Sequence, residues 1–287
     1  MKILIIGGDG MLGHQLLRQW DARHEVYVTL HKGPPAFSAS GLFRPERTIP
    51  NVEVCSIESV LSCAENLKPD VIVNAAGLVK QRLTVKDTLP NLEINALFPH
   101  RLATVAQTVG ARVVHFSTDC VFSGRKGRYT EEDIPDPEDL YGRTKLLGEL
   151  HYSNCITLRT SIVGRELFRK TGLLEWFLAQ RGSVRGFRQA IYTGFTTIEL
   201  ARIVEQILIH HSNASGIWHV SSDSISKHGL LGLFRKHFNL DTKIVPDDTF
   251  VCDRSLVSNR FRSAFGYAPP AWDDMVAELA QDDEFYR

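Results

Sequence analysis

What this chain of 287 residues lacks narrows its possibilities first. Its 33 basic and 33 acidic residues cancel, so no excess of one sign is present to attract nucleic acid or an anionic membrane, and any anion must be recognised by a local site. The five cysteines, Cys55, Cys63, Cys120, Cys155 and Cys252, include no C-x-x-C pair. That excludes the usual zinc and disulfide patterns and fits a reducing cytosol, with most of these thiols expected as buried packing residues. No apolar run approaches the length of a membrane span, and the opening run Lys2 to Gly7 is too short for a signal segment. There is no internal repeat and no low-complexity tract. The expectation is a cytoplasmic protein with a small-molecule ligand and with neither nucleic acid nor membrane as partner. The length leaves two domains or one large α/β unit.

Short apolar runs bounded by turn residues predict strands at Lys2 to Ile6, Glu25 to Leu30, Val52 to Cys55, Asp70 to Asn74 and Arg112 to Phe116. Helical spacing falls between them, at Leu12 to Trp20, Val60 to Leu67 and Ala96 to Val109. This alternation predicts an α/β fold with a doubly wound parallel sheet. Further strands are expected at Cys155 to Arg159 and, after a helix over Thr197 to His210, at Gly216 to Val220. Residues 1–162 then read as the nucleotide-binding domain, to which the chain returns at about 191–222. Residues 163–287 read as a smaller, mostly helical and discontinuous substrate lobe, with a cleft between lobes as the default ligand site. Glu131 to Asp139, rich in acids and carrying two prolines, reads as an exposed loop. Phe168, Leu173, Leu174, Trp176 and Phe177 form either an interface stripe or the core of the small lobe, with core preferred, so monomer and homodimer both stay open.

Gly7-Gly8-Asp9-Gly10-Met11-Leu12-Gly13 ends the first strand and opens the first helix, the setting of a dinucleotide (Rossmann) site. Gly7 permits the turn, Gly10 lets backbone approach a pyrophosphate, and Gly13 allows close helix packing, while the helix start at Met11 and Leu12 offers free N–H donors. The spacing is G-x-x-G-x-x-G, the pattern of the extended short-chain dehydrogenase/reductases. The second strand ends Thr29-Leu30-His31-Lys32 without the acid that NAD recognition calls for. Thr29, His31 and Lys32 could receive a 2′-phosphate instead, which favours NADP (NADPH) and leaves NAD possible. Asn74, Ala75, Ala76 and Gly77 end the fourth strand, where small side chains let backbone touch the cofactor.

The fifth strand runs into the hydroxyl residues Ser117 and Thr118, followed by Asp119, and Tyr141 and Lys145 come a short loop later. A four-residue spacing puts the last two on one helix face. The bare pair is common by chance, and its position beside the strand ends is what gives it weight. A phenol with a pKa near 10 is a poor acid–base group at neutral pH, and a neighbouring ammonium lowers it. Bringing it down by about 3 units takes about 4 kcal/mol of differential stabilisation.

These residues resemble the extended short-chain reductases of the dTDP-4-dehydrorhamnose reductase type. The likeness rests on GGDGMLG, DVIVNAAG, NALFPHRLA, Ser117-Thr118-Asp119 with Val121-Phe122, and YGRTKLLGE, and more loosely on LRTS, GIWHV and DRSLVSNRF. The resemblance implies that Thr118, Tyr141 and Lys145 form the catalytic triad, with Ser117 as the less favoured hydroxyl, and that Thr118 and Asp119 meet a nucleotide-sugar substrate. The expected activity is NADPH-dependent reduction of a nucleotide-linked 4-keto-6-deoxy sugar, carrying dTDP as in rhamnose synthesis or UDP with a 2-acetamido group. Alternatives are an epimerase that recycles bound NAD and a non-catalytic NADP-binding regulatory subunit. A dehydratase of this superfamily carries Thr-Asp-Glu after the fifth strand, and Cys120 cannot replace that carboxylate. Gln15 stands where some members place a metal-holding glutamate, so no metal is expected. Ala190 to Thr197 departs from the family's D-Q-x-G-x-P-T, which points to a different substrate pocket. Arg254 offers a guanidinium fork for a diphosphate or is an ordinary surface residue.

Overall fold

The computed structural model describes residues 1–32, 41–78 and 87–286. Seven strands form a parallel sheet. They are β1 (Lys2–Ile6), β2 (Glu25–Thr29), β3 (Thr48–Ile49), β4 (Val71–Asn74), β5 (Arg112–Thr118), β6 (Cys155–Thr160) and a last strand, Gly216–His219. Their order is β3, β2, β1, β4, β5, β6 and then Gly216–His219. The order reverses beside β1, so the carboxyl ends of β1 and β4 open at the switch point where ligands of such sheets bind.

The chain forms two compact units. Met1–Ser117, Asp139–Leu158 and Ala201–Ile217 make up the first, and Thr118–Glu138, Arg159–Leu200 and Trp218–Arg287 the second. In the first unit, helices α1 (Met11–Trp20), α2 (Ile57–Leu67), a short α3 (Thr88–Asn91), α4 (Phe98–Val109) and α5 (Leu140–Leu147) flank the sheet. Leu4, Ile6, Ile72 and Val113 bury themselves with Val60, Ala64, Phe98, Leu102 and Ala106 of α2 and α4. Ile3 and Ile5, one residue out of phase, face the other way and are fully buried as well. α1 packs through Trp20, whose indole N–H donates to the Ala201 carbonyl at 3.2 Å, early in α7 (Thr197–His210).

The second unit contains helices α6 (Leu173–Leu178), α8 (Lys227–His237), α9 (Asn259–Phe265) and α10 (Trp272–Gln281) together with small sheets of two and three short strands. Leu174, Phe177, Leu230, Phe234, Met275 and Val276 form buried apolar contacts there, with the Phe177 and Phe234 rings 6.3 Å apart. Arg165 is buried and bonds Glu175 at 2.8 Å and Asp283, tying the C-terminal turn to α6.

Four expectations need correction. The third strand is Thr48–Ile49 rather than Val52 to Cys55. Pro50 has no N–H, and Asn51 takes a left-handed φ of 58°, so the ladder breaks and Val52 keeps a single bond to the Leu30 carbonyl. The helix expected at Ala96 is preceded by α3 and by a π-helical turn over Leu92–Leu97, ending beside Pro99 in the first turn of α4. Of the five cysteines only Cys155 is buried, and Cys55 lies exposed in the loop that replaces the expected strand. The aromatic stripe also splits, because Leu174 and Phe177 are buried whereas Phe168 and Trp176 are 46% and 40% exposed.

Candidate active site

In the first unit the glycine loop is built as its spacing requires. Gly7 has φ +86°, and a Cβ there would stand 3.0 Å from the Ala76 backbone. A Cβ on Gly13 would lie 2.1 Å from the Gly7 carbonyl oxygen, so α1 can start against this turn only with glycine there. Gly8 is required as well, since its Cβ would meet Val28 at 2.6 Å. Gly10 is the N-cap of α1, and the first-turn N–H groups from Met11 to Gly13 have no partner within the helix. Its own Cβ would meet nothing closer than the Gly7 oxygen at 3.3 Å and the Ala75 oxygen at 3.8 Å. That cradle fits a dinucleotide pyrophosphate.

The loop after β4 lies against the same turn. The Asn74 side chain accepts from the Ala76 N–H at 3.3 Å and donates to His115 Nδ1 at 3.1 Å. Beyond Gly77, Leu78 is clasped by Asn95, which accepts its N–H at 2.9 Å and donates to its carbonyl at 3.1 Å. Asn95 lies in the π-helical turn, whose extra residue aims the amide at this loop. At the end of β2, Thr29 is buried and its hydroxyl accepts from the Gly7 N–H at 3.2 Å. His31 and Lys32 are exposed. His31 Nδ1 stands 3.2 Å from Glu53, an acid supplied from beyond β3 that the local sequence of β2 does not show.

Tyr141 and Lys145 lie on α5. Asp139 caps this helix, its carboxylate accepting from the Gly142 N–H at 2.8 Å. Tyr141 is half-buried and Lys145 buried. Lys145 Nζ donates to the Phe116 carbonyl of β5 at 2.6 Å. Burial holds its pKa down at about 8, and the charge of Glu149 one turn later pulls it back up. The Glu149 carboxylate is itself buried and accepts from the Ser117 hydroxyl at 2.6 Å. His115, also fully enclosed, has its pKa pushed well below the ordinary imidazole value by burial and by Lys145. Because Nδ1 accepts from Asn74, the proton of the neutral ring is on Nε2.

In the second unit, Thr118 is buried, accepts from the Cys120 N–H at 3.1 Å and donates to Asp119 at 3.2 Å. Arg254 donates through Nε to the Phe122 carbonyl at 2.8 Å and points NH1 at Cys120 Sγ, 3.7 Å away. Gly124, with φ +87°, makes room for it, since a Cβ there would meet Cys252 Sγ at 2.7 Å and Arg254 Cγ at 3.0 Å.

A family model described as RmlD substrate binding domain matches residues 1–284. The chain belongs to the RmlD family. A relative in Bacillus subtilis, the spore coat polysaccharide biosynthesis protein SpsK, is 27% identical over 98% of this chain and 97% of its own length. The dTDP-4-dehydrorhamnose reductase of Burkholderia thailandensis is 33% identical over 57% of this chain and 50% of its own. Methionine adenosyltransferase 2 subunit beta of Rattus norvegicus is 30% identical over 52% of this chain, which spans 41% of that protein. Among solved structures, Bacillus anthracis dTDP-4-dehydrorhamnose reductase in complex with NADP superposes with a TM-score of 0.80 at 22% identity, covering 98% of this chain and 99% of the other. That likeness concerns the fold.

In this RmlD-family chain, sequence reasoning did not single out Glu53, Asn95 and Glu149, which the fold brings against His31, Leu78 and Ser117. NALFPHRLA and YGRTKLLGE contain Asn95 and Glu149, but only the fold shows what they touch. Gln15 is buried on α1 and accepts from Arg18 at 3.3 Å.

Proposed function

We propose that this RmlD-family chain is an NADPH-dependent reductase of the 4-keto group of a nucleotide-linked 4-keto-6-deoxy sugar, serving surface-polysaccharide precursor synthesis. The observation that carries the reading is Lys145, a buried ammonium anchored on the β5 carbonyl of Phe116, one helical turn from Tyr141. Gly7, Gly10, Met11, Leu12 and Gly13 would hold the pyrophosphate, and Asn74 to Gly77 the neighbouring ribose. Lys32 favours a 2′-phosphate and Glu53 a free ribose hydroxyl, so NADPH is preferred and NADH remains usable. Bound there, the reduced cofactor supplies the hydride that the ketone carbon takes.

Tyr141 gives its phenolic proton to the alkoxide oxygen as it forms. Lys145 keeps that phenol acidic, and its ammonium binds the ribose. Thr118 turns its hydroxyl from Asp119 to the same substrate oxygen. Ser117, held by Glu149, is turned to the interior, which supports Thr118 as the hydroxyl of the triad. General acid catalysis of this kind supplies about 100- to 10,000-fold in rate. Cys120 offers no carboxylate, which counts against the elimination named for a solved structural neighbour, the dTDP-glucose 4,6-dehydratase DesIV of Streptomyces venezuelae, similar at a TM-score of 0.78.

The test is NADPH consumption with a dTDP-linked and a UDP-linked 4-keto-6-deoxy sugar side by side. One of them should be reduced, and Tyr141→Phe should bind cofactor normally while losing at least about 100-fold in turnover. Consumption with neither sugar refutes the reading. Cofactor binding without turnover, together with a co-purifying enzyme, would favour a non-catalytic NADP-binding subunit, and the methionine adenosyltransferase relatives carry the name of a subunit. Tightly bound NAD in the purified protein would favour an epimerase.

A further inference from the structure

The second unit holds a polar pair that the proposed reaction does not use. The strand Ala190–Tyr192 lies between Ile225–Ser226 and Cys252–Asp253, and Ile225 faces Tyr192 across an antiparallel register. Lys227, which opens α8 immediately after that strand, brings its Nζ to 4.3 Å from the centre of the Tyr192 ring. Tyr192 is 6% exposed, and its hydroxyl is buried with no hydrogen-bond partner among the described residues. The Lys227 side chain likewise forms no ion pair or hydrogen bond among them, and its ammonium rests on the ring face.

Both groups carry unmet demand. A buried hydroxyl without a partner costs about 1 to 3 kcal/mol. An ammonium on an aromatic face keeps all three N–H donors free for another partner. The fold makes room for the arrangement, because a Cβ on Gly194 would stand 2.4 Å from the Tyr192 hydroxyl oxygen. The titratable groups facing the pair are Asp119, Cys120 and Cys252, of which the carboxylate of Asp119 and the thiol of Cys120 face both members. The set therefore offers donors on Lys227, a donor or acceptor on Tyr192 and an acceptor on Asp119. A phosphate only accepts and would be repelled by Asp119. A sugar hydroxyl both donates and accepts, and satisfies all three.

We infer that Tyr192 and Lys227 form a recognition site for hydroxyl groups of the sugar ring, selecting the sugar rather than the nucleotide of the substrate. This rests on the nucleotide-sugar reading above. The pair follows from a buried unpartnered hydroxyl under an unpaired ammonium, beside the carboxylate next in sequence to Thr118.

Calorimetric titration of the full chain with dTDP, dTDP-glucose, UDP and UDP-N-acetylglucosamine tests it. Wild type should bind at least one sugar nucleotide more tightly than its bare nucleotide. Tyr192→Phe and Lys227→Met should each erase about five- to tenfold of that gain and leave the affinity for the bare nucleotide unchanged. Variants that retain the gain overturn the inference. Equal weakening of bare nucleotide also overturns it, by moving the pair to the diphosphate. A wild type that binds bare nucleotides as tightly as sugar nucleotides overturns the pair alone, whereas one that binds none of the four removes the nucleotide-sugar reading and the pair with it. Tyr192→Phe deletes a hydroxyl with no partner in the fold, so its Tm should not fall. A clear fall would make the hydroxyl a structural group and refute the assignment.

Discussion

On the proposed mechanism Lys145 has to stay charged in a place that resists charge. Burial brings its pKa down to about 8, and Glu149 opposes that shift. An ammonium that loses its proton near pH 8 can no longer keep the phenol of Tyr141 acidic, so kcat/KM should fall as pH rises through about 8. Glu149→Gln removes the opposing charge and should move this alkaline limb to lower pH, while Glu149→Asp, which keeps the charge, should leave it close to the wild-type position. A pH profile of NADPH oxidation for the three proteins reads this directly, and superimposable limbs would remove Glu149 from the arrangement. Stability has the opposite sign. The folded pKa of Lys145 lies below the unfolded value near 10.4, so the cost of its charge is fully present below pH 8 and is relieved between about 8 and 10.4. Loss of activity above pH 8 without loss of fold would therefore be the signature of this lysine.

At the scale of elements, α5 is held where it is by a glycine. Gly148 ends the helix, and a Cβ there would stand 2.0 Å from the Asn95 carbonyl oxygen of the π-helical turn. Backbone cannot yield as a flexible side chain does, so Gly148→Ala must push α5 away from that turn. The expected cost is about 1 to 3 kcal/mol, with turnover falling more than cofactor affinity because Tyr141 and Lys145 ride on the displaced helix. Thermal unfolding and cofactor titration of the variant check both parts, and a normal Tm would show that the two elements can separate freely.

The same contact shows which parts of the fold could be read from sequence and which could not. The glycine loop was legible because its demands are local. The positive φ of Gly7 and the contact of Gly13 with the Gly7 oxygen lie within seven residues of each other. Tyr141 and Lys145 were legible for the same reason, as one turn of one helix. The partners of Lys145 were not, because Phe116 is 29 residues away and only sheet pairing brings it near. The π-helical turn has the same apolar spacing as an α-helix over so short a span, and β3 was misplaced because Pro50 and Asn51 end its ladder without changing the apolar pattern. Tyr192 and Lys227 meet only through the register of two short strands, which periodicity does not reveal.

For the whole molecule, acid should be the condition that the fold tolerates least. Two enclosed histidines, one in each compact unit, are held neutral. In the first, His115 is held well below its ordinary pKa by burial and by Lys145. In the second, burial and the Arg159 guanidinium hold His219 at about 3. Its ring contacts agree, since Nδ1 lies 3.2 Å from the Tyr129 carbonyl and Nε2 3.2 Å from Arg159 NH1. The ring must donate to the carbonyl and accept from the guanidinium, which a doubly protonated imidazole cannot do. Unfolded histidine binds a proton near pH 6.5. Between there and pH 3 the unfolded chain therefore holds a proton at His219 that the folded chain refuses, and stability present above pH 6.5 is lost as pH falls, at about 1.4 kcal/mol per pH unit for that one group. His115 adds to the slope in the same direction. By pH 4.5 His219 alone gives up about 3 kcal/mol, a large share of the about 5 to 15 kcal/mol that commonly holds a domain together. Urea unfolding at intervals from pH 7.5 to 4.5 should show the free energy falling below pH 6.5. His219→Gln should begin from a lower stability but lose about one proton's worth of that slope, and an unchanged slope in the variant would show that the ring is not kept neutral in the fold.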